Sequence, residues 1–214
     1  MAWTGIFNRN SSDFFRALEG YFLVEAAPTL VGYSRPVSVI SATPTQVVLR
    51  DFGLLGEITF TGQGLTLANP PPQLPGTGGA FPQFTGGTIT TMTSRFNVNL
   101  DNLTTALAFA SNAAERARIQ AQIDNVLRET TQQLQAEAQG QTPAVRHLIP
   151  SAVIVPGPAI DAAQLGAAAV QSFTTRSTQP MRDFLNQFTV DFAGPGAPGG
   201  FAGQGFDLVG FDGP

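Results

Sequence analysis

The chain has 214 residues, 43% of them hydrophobic and only 12% charged, with 11 basic residues, all arginine, against 15 acidic ones and a formal net charge of −4. That balance carries no basic footprint for nucleic acid, and the absence of lysine removes Schiff-base and P-loop chemistry. With no cysteine there is no disulfide, thiolate nucleophile or zinc–cysteine site.

The first residues show no cationic stretch followed by an apolar one, so no secretory leader is expected, and export would use a C-terminal signal or lysis. No run of about 18 apolar residues occurs, so no membrane span is expected. Ser11 or Ser12 is placed to cap a helix over 12–25, with Asp13 at its positive end. Phe14, Phe15, Leu18, Tyr21 and Phe22 fall on one stripe of that helix, which reads as core or as a contact between subunits. Pro28, Gly32 and Pro36 break the chain, and Val37, Val39 and Ile40 predict a first strand.

A β unit follows, from Pro44 to Leu100. Val47, Val48 and Leu49 form an apolar run closed by Asp51 and Gly53. From Glu57 to Thr61 polar and apolar residues alternate, with Ile58 and Phe60 on one face, the period of a half-buried strand. Gly53 and Gly56 suit a reversal between the two strands. Gly62 and Gly64 predict a bulge or turn before Leu65–Leu67. Asn69–Gly87 carries prolines at 70, 71, 72, 75 and 82 and reads as a surface loop. Thr88–Phe96 resumes as a Thr-rich strand, with Ile89, Thr91 and Thr93 on one face and Thr88, Thr90 and Met92 on the other.

Asp101 is placed to cap a short helix to Ala110, with Leu103, Ala106 and Leu107 inward. Ser111 or Asn112 opens a long helix over 112–139 that ends at Gly140, with Ile119, Ile123, Val126, Leu127, Thr130 and Leu134 at helical spacing. Arg116, Arg118 and Arg128 alternate with acids and read as a solvated face. His147 is the only histidine, which leaves no second one for a typical zinc site; it reads as structural, with axial ligation of a haem as the alternative. Ala152–Val155 predicts a short strand, Asp161 caps a small-residue helix, and Pro180 starts another. Residues 191–214 hold eight glycines and four phenylalanines, Phe192, Phe201, Phe206 and Phe211, with no basic residue. Too Gly-rich for a core of their own, they read as an extension whose rings anchor it in a groove of a neighbouring copy.

The succession VVLRD…ITFTGQGLTL…GGTITTMT, about a quarter of the chain, resembles a segment of bacterial proteins that accompany RTX, or haemolysin-type, repeats. The stretch from Ala202 to Gly210 is similar to the nonapeptide G-G-x-G-x-D-x-U-x of those repeats, with Ala202 at the first glycine. The resemblance implies type I export and Ca²⁺ ligation by Asp207; Asp212, outside the matched stretch, is a second candidate carboxylate. One nonapeptide supplies too few oxygens for a closed site and no neighbouring turn to stack on.

No catalytic constellation is found. There is no G-x-S-x-G elbow, P-loop or dinucleotide fingerprint. Asp51 and Glu57 flank the first reversal and read as solvated carboxylates. The expected fold is α+β: a mainly antiparallel sheet over 37–99 covered by helices, in one domain spanning 1–190, with the extension 191–214. The expected function is a non-enzymatic, self-assembling structural protein outside the cell, partnered by copies of itself and needing no cofactor. A surface so poor in charge suits one covered by copies of itself. Two alternatives share this composition: a virion structural protein, and a small-ligand binding module whose 69–86 loop uses Phe81 and Phe84 as a lid.

Overall fold

The computed structural model describes residues 2–7, 37–51, 53–72, 82–155, 157–175, 179–185, 187, 189–193 and 205–207. Its strands are β1 (Ala2–Phe7), β2 (Val37–Thr43), β3 (Gln46–Asp51), β4 (Gly56–Leu67), β5 (Phe84–Phe96), β6 (Ile149–Val155), β7 (Ile160–Asp161), β8 (Thr189–Ala193) and β9 (Gly205–Asp207). They form one sheet in the order β2-β3-β4-β5-β6-β1-β8-β9, with β7 paired to β5. Every pairing is antiparallel except β1 with β8. With helices α1 (Val98–Phe109), α2 (Ala113–Ala138), α3 (Ala162–Thr175) and α4 (Gln179–Leu185), this is an α+β fold on a mainly antiparallel sheet. The sheet reaches beyond the expected 37–99. β1, for which the sequence predicts no element, lies between β6 and β8.

The core follows from register. Val47, Phe60, Met92 and Ile154 sit opposite one another across β3 to β6, and all four are buried. The neighbouring row Val48, Thr59, Thr93 and Val153 points the other way and is half-buried. Ile89 and Met92, expected on opposite faces, are both core residues. The pairing of β4 with β5 shifts between Thr61 and Gly62, which leaves Thr90 out of the ladder and turns both apolar side chains inward. Gly62 makes that shift sterically feasible, because a Cβ there would lie 1.8 Å from the Thr88 carbonyl oxygen. Thus β4 continues past Gly62 and Gly64, and β5 starts at Phe84, inside the stretch expected to be loop.

Helix α3 packs on β5. Asp161 caps it, accepting from the backbone N–H of Ala163 at 2.9 Å and of Gln164 at 3.2 Å. Its small residues allow a close approach: a Cβ on Gly166 would lie 2.2 Å from the carbonyl oxygen of Phe84. Phe84 is fully buried and meets Phe60 edge to face, with centroids 5.1 Å apart and planes at 72°. It is a core residue and not part of a lid; Phe81 lies outside the described residues.

Helices α1 and α2 form a hairpin with its own small core of Leu100, Ala110, Ile119, Ile123 and Val126, joined by Leu55, Leu103 and Leu107. Its entry is capped by Asn97 and not, as expected, by Asp101. Asn97 is completely buried; its Oδ1 accepts from Leu100 N–H at 3.0 Å and its amide donates to Thr130 Oγ1 at 3.0 Å. Because β5 runs straight to Phe96, the helix starts one turn earlier than Asp101 would allow, and Ala106 is consequently exposed. Asn112 caps α2, accepting from Glu115 N–H at 2.9 Å, while Glu115 accepts from Ser111 N–H at 3.0 Å.

Of the proposed anchors, Phe192 lies in β8 and Phe206 in β9, and Gly205–Asp207 pairs with β8 of the same chain. Phe201, Phe211, Phe14, Phe15, Leu18 and Phe22 lie outside the described residues. Asp207 ends β9, and Asp212 is also outside them.

Candidate functional site

The densest polar cluster among the described residues joins the C-terminal half of α2 to the sheet. The apolar stripe of α2 ends at Val126, and Glu129, Thr130, Gln133 and Glu137 then recur at helical spacing. Thr130 and Gln133 are buried although both are polar. Such burial is tolerated only with partners. Thr130 accepts from Asn97 and donates to the Val126 carbonyl at 2.7 Å. Gln133 Oε1 accepts from the backbone N–H of His147 at 2.8 Å and of Leu148 at 3.0 Å, and its amide donates to the Leu148 carbonyl at 2.8 Å. One side chain thus pairs with the backbone of 147–148 much as a strand would.

Glu137 extends the cluster onto the sheet. Its Oε2 lies 2.7 Å from Arg95 Nη1, and Arg95 Nη2 lies 2.7 Å from Glu57 Oε1. Arg50 closes on the other oxygen of Glu57, with Nε at 2.9 Å and Nη2 at 2.6 Å. Arg50, Glu57 and Arg95 stand directly opposite one another on β3, β4 and β5. The Glu57 side chain is 8% exposed, which corrects its reading as a solvated carboxylate. A signal was available: residues 50 and 57 are equidistant from the Gly53–Leu54 reversal, so hairpin register pairs them. Burial pushes the Arg95 pKa down, but hydrogen bonding to Glu137 and the charge of Glu57 outweigh it, and the net shift is upward.

At the other end, His147 Nε2 lies 2.8 Å from Glu129 Oε2, and its Nδ1 lies 3.1 Å from the Asn99 amide nitrogen. The amide donates to Nδ1, which places the ring hydrogen on Nε2, facing the carboxylate. With both ring nitrogens engaged and the residue 8% exposed, His147 has no free nitrogen to serve as a base. It fastens the 146–148 segment to α2.

The hydrogen bond to His147, then that from Asn125, holds the Glu129 carboxyl below the ordinary range. Burial raises Glu137, but hydrogen bonds from Arg95 and Gln133 overcome this and its pKa is also lowered. A depressed folded-state pKa contributes stability above the unfolded value, and that stability is lost as pH falls through the folded one. Unfolding free energy from urea titrations should therefore hold steady from pH 6 to 5 and decline below about pH 4.3. Glu137→Gln should flatten the decline; an identical slope in the variant would show that this carboxylate does not couple to folding.

An open cleft of about 680 Å³ separates α1 from α2 beside this cluster, lined by Asn99, Asn102, Leu103, Arg118, Gln122 and Asn125 among others. Among the described residues no group of three or more His, Cys, Asp or Glu side chains is arranged to hold a metal ion, and no helix is long and apolar enough to cross a membrane. Arg116, Arg118 and Arg128 are exposed. No family model matches the chain, and neither a curated protein nor a solved structure matches it.

Proposed function

We propose that this chain is a non-enzymatic structural subunit that assembles with copies of itself outside the cell. The observation that carries the reading is the first edge of the sheet. β2 reads VSVISAT, seven residues without a charge or a proline, and among the described residues no strand pairs with its outer side. Val39 and Ile40 are 44% and 47% exposed there. The pairing of β2 with β3 shifts between Val39 and Ser41, so Ile40 stands outside the register. Edges that must stay unpaired are blunted by charge, proline or very short strands. Here a bulge is present, but charge and proline are missing, and β-branched residues stay in view of solvent. A second copy adding a strand would pair with the outer side of β2 and cover both side chains.

The low charge content supports the same reading, since little charge repulsion opposes close approach of copies. The polar cluster agrees with it too: its ion pairs and hydrogen bonds are spent on fastening a helical hairpin to a sheet, and its single histidine is tied at both nitrogens. The resemblance to RTX-associated proteins supports an extracellular location. The extension from 191, with Phe192, Phe201, Phe206 and Phe211, is proposed as a further contact, and Ca²⁺ binding at Asp207 and Asp212 as accessory to it.

Electron microscopy and light scattering of the full chain provide the test. The native protein should form ordered multimers whose size grows with concentration. Val39→Lys with Ile40→Lys should leave a folded monomer, because two ammonium groups on the edge oppose strand addition. A native protein that stays monomeric at every concentration, or multimers unchanged by both lysines, would overturn the reading.

A further inference from the structure

Helices α1 and α2 meet along an apolar seam that includes Leu100, Ile119 and Ile123. The cleft of about 680 Å³ between them is within the roughly 300–1,000 Å³ of small-ligand sites. Its lining combines apolar groups, from Leu103, Ala121 and Val126, with polar ones. Asn99 and Asn102 are three residues apart on α1, and Arg118 and Gln122 are four apart on α2, so each pair shares a helix face. These polar groups differ in what they have left to offer. Asn125 is engaged at both ends: its amide donates to Glu129 at 3.0 Å and its carbonyl oxygen accepts from Arg128. Asn99 gives its amide to His147 and keeps its oxygen. Gln122 Oε1 accepts from Arg118 Nη1 at 3.4 Å, and its amide has no partner among the described residues. Asn102 is exposed, and among those residues its side chain makes no hydrogen bond. Arg118 is exposed and pairs with no described carboxylate; the acid nearest in sequence, Glu115, accepts from Ser111 instead.

We infer that this cleft binds a carboxylated sugar, as a free acid or as a unit of an acidic polysaccharide, with the carboxylate on Arg118. The lining selects that chemistry. Its one charged side chain is a guanidinium without a carboxylate partner, so the ligand carries negative charge; with no carboxylate in the lining, an amine or a basic peptide has nothing to hold its cation. The planar guanidinium takes a carboxylate through two parallel N–H donors. The uncommitted amide groups supply donors and acceptors together: Asn102 both, Gln122 a donor, Asn99 an acceptor. A hydroxyl is itself donor and acceptor, so a polyhydroxylated ring satisfies such a set where a fatty acid leaves it unmet. The C–H face of a sugar ring suits the apolar groups, and the lining holds no aromatic ring on which a nucleobase could stack. Because the cleft is open and Arg118 is exposed, one sugar unit is held weakly, with a dissociation constant on the order of 1 mM. Neighbouring copies in an assembly would bind a polymer more tightly through high effective concentration. The site itself does not depend on the assembly reading.

Equilibrium dialysis of the full chain against a labelled galacturonate trisaccharide tests the inference, and it reads binding whether or not the protein assembles. The trisaccharide should be retained saturably, and its methyl ester, which lacks the charge, about tenfold more weakly. Acetate at the same concentration should fail to displace it, because a bare carboxylate meets none of the amides. Arg118→Gln should weaken retention about tenfold and Asn102→Ala several-fold. Arg116→Gln removes an equally exposed charge from outside the lining and should leave retention unchanged. All three changes are at exposed positions, and an unchanged melting temperature confirms that each variant is folded. Absence of saturable retention overturns the inference. So does equal retention of the methyl ester, displacement by acetate as effective as by unlabelled trisaccharide, or an equal loss in Arg116→Gln and Arg118→Gln, since each reduces the signal to unspecific attraction. Light scattering of the same samples keeps the two readings apart: retention by a chain that stays monomeric sinks only the assembly, and multimers without retention sink only the cleft.

Discussion

Glu57→Gln should lower the unfolding free energy by about 3 kcal/mol, the cost of breaking a buried ion pair from one side. The carboxylate accepts from Arg50 Nε and Nη2 and from Arg95 Nε, and among the described residues no other carboxylate pairs with Arg50. Glutamine keeps the shape but turns an NH₂ toward a guanidinium, donor against donor, and removes the charge that lets two arginines stand two strands apart. The side chains of Arg50 and Arg95 are 19% and 24% exposed, so water screens part of the repulsion but not most of it. The effect should appear as a lower urea midpoint at unchanged slope. Exchanging all three residues for apolar ones of similar volume should cost less than the single change, because the carboxylate that then loses Arg95, Glu137, is 32% exposed and keeps its hydrogen bond from Gln133. A loss below about 1 kcal/mol for Glu57→Gln would place the cluster with ordinary surface pairs.

Glu57 also shows where the sequence stops being legible. Alternation from Glu57 to Thr61 assigned Ile58 and Phe60 to the core correctly, because period 2 is local. It could not show that the opposite face is covered at Glu57, because the cover is Glu137 of α2, 80 positions away, reached through Arg95. The same limit applies to Ile89 and Met92. Strict alternation separates them, and only the register shift opposite Gly62 brings them together. Capping residues were readable where the competing positions were few, as at Asp161 and Asn112, where side-chain oxygens meet the N–H groups two or three residues on. Between Asn97 and Asp101 the choice depended on how far β5 runs, which is tertiary. β1 escaped notice because its six residues carry no alternation strong enough to stand out, and its place beside β6 is a long-range pairing. Thr130 and Gln133 looked like an ordinary polar continuation of a helix; nothing in the sequence announced that Gln133 binds the backbone of 147–148.

Phe84→Ala should cost about 3–5 kcal/mol, the range for truncating a buried phenylalanine. The site cannot easily collapse. On one side the ring meets Phe60, itself fully buried; on the other the backbone of Phe84 carries Gly166 of α3 at a distance that leaves no room for a Cβ. A cavity there loses contacts with both the sheet and the helix, and the rigid approach of α3 to β5 keeps it open. That loss is a large share of the roughly 5–15 kcal/mol that stabilises a typical domain. The double variant with Phe60→Ala should cost less than the sum of the two single changes, by about 0.5–1.5 kcal/mol for the edge-to-face pair. The same measurement decides the ligand-lid reading of the 69–86 loop. A lid residue is exposed in the free protein, and its truncation leaves stability within about 0.5 kcal/mol while weakening ligand binding. A core residue does the reverse. A Phe84→Ala chain with an unchanged urea midpoint would return Phe84 to the loop and remove the packing between β4, β5 and α3 from the account of this fold.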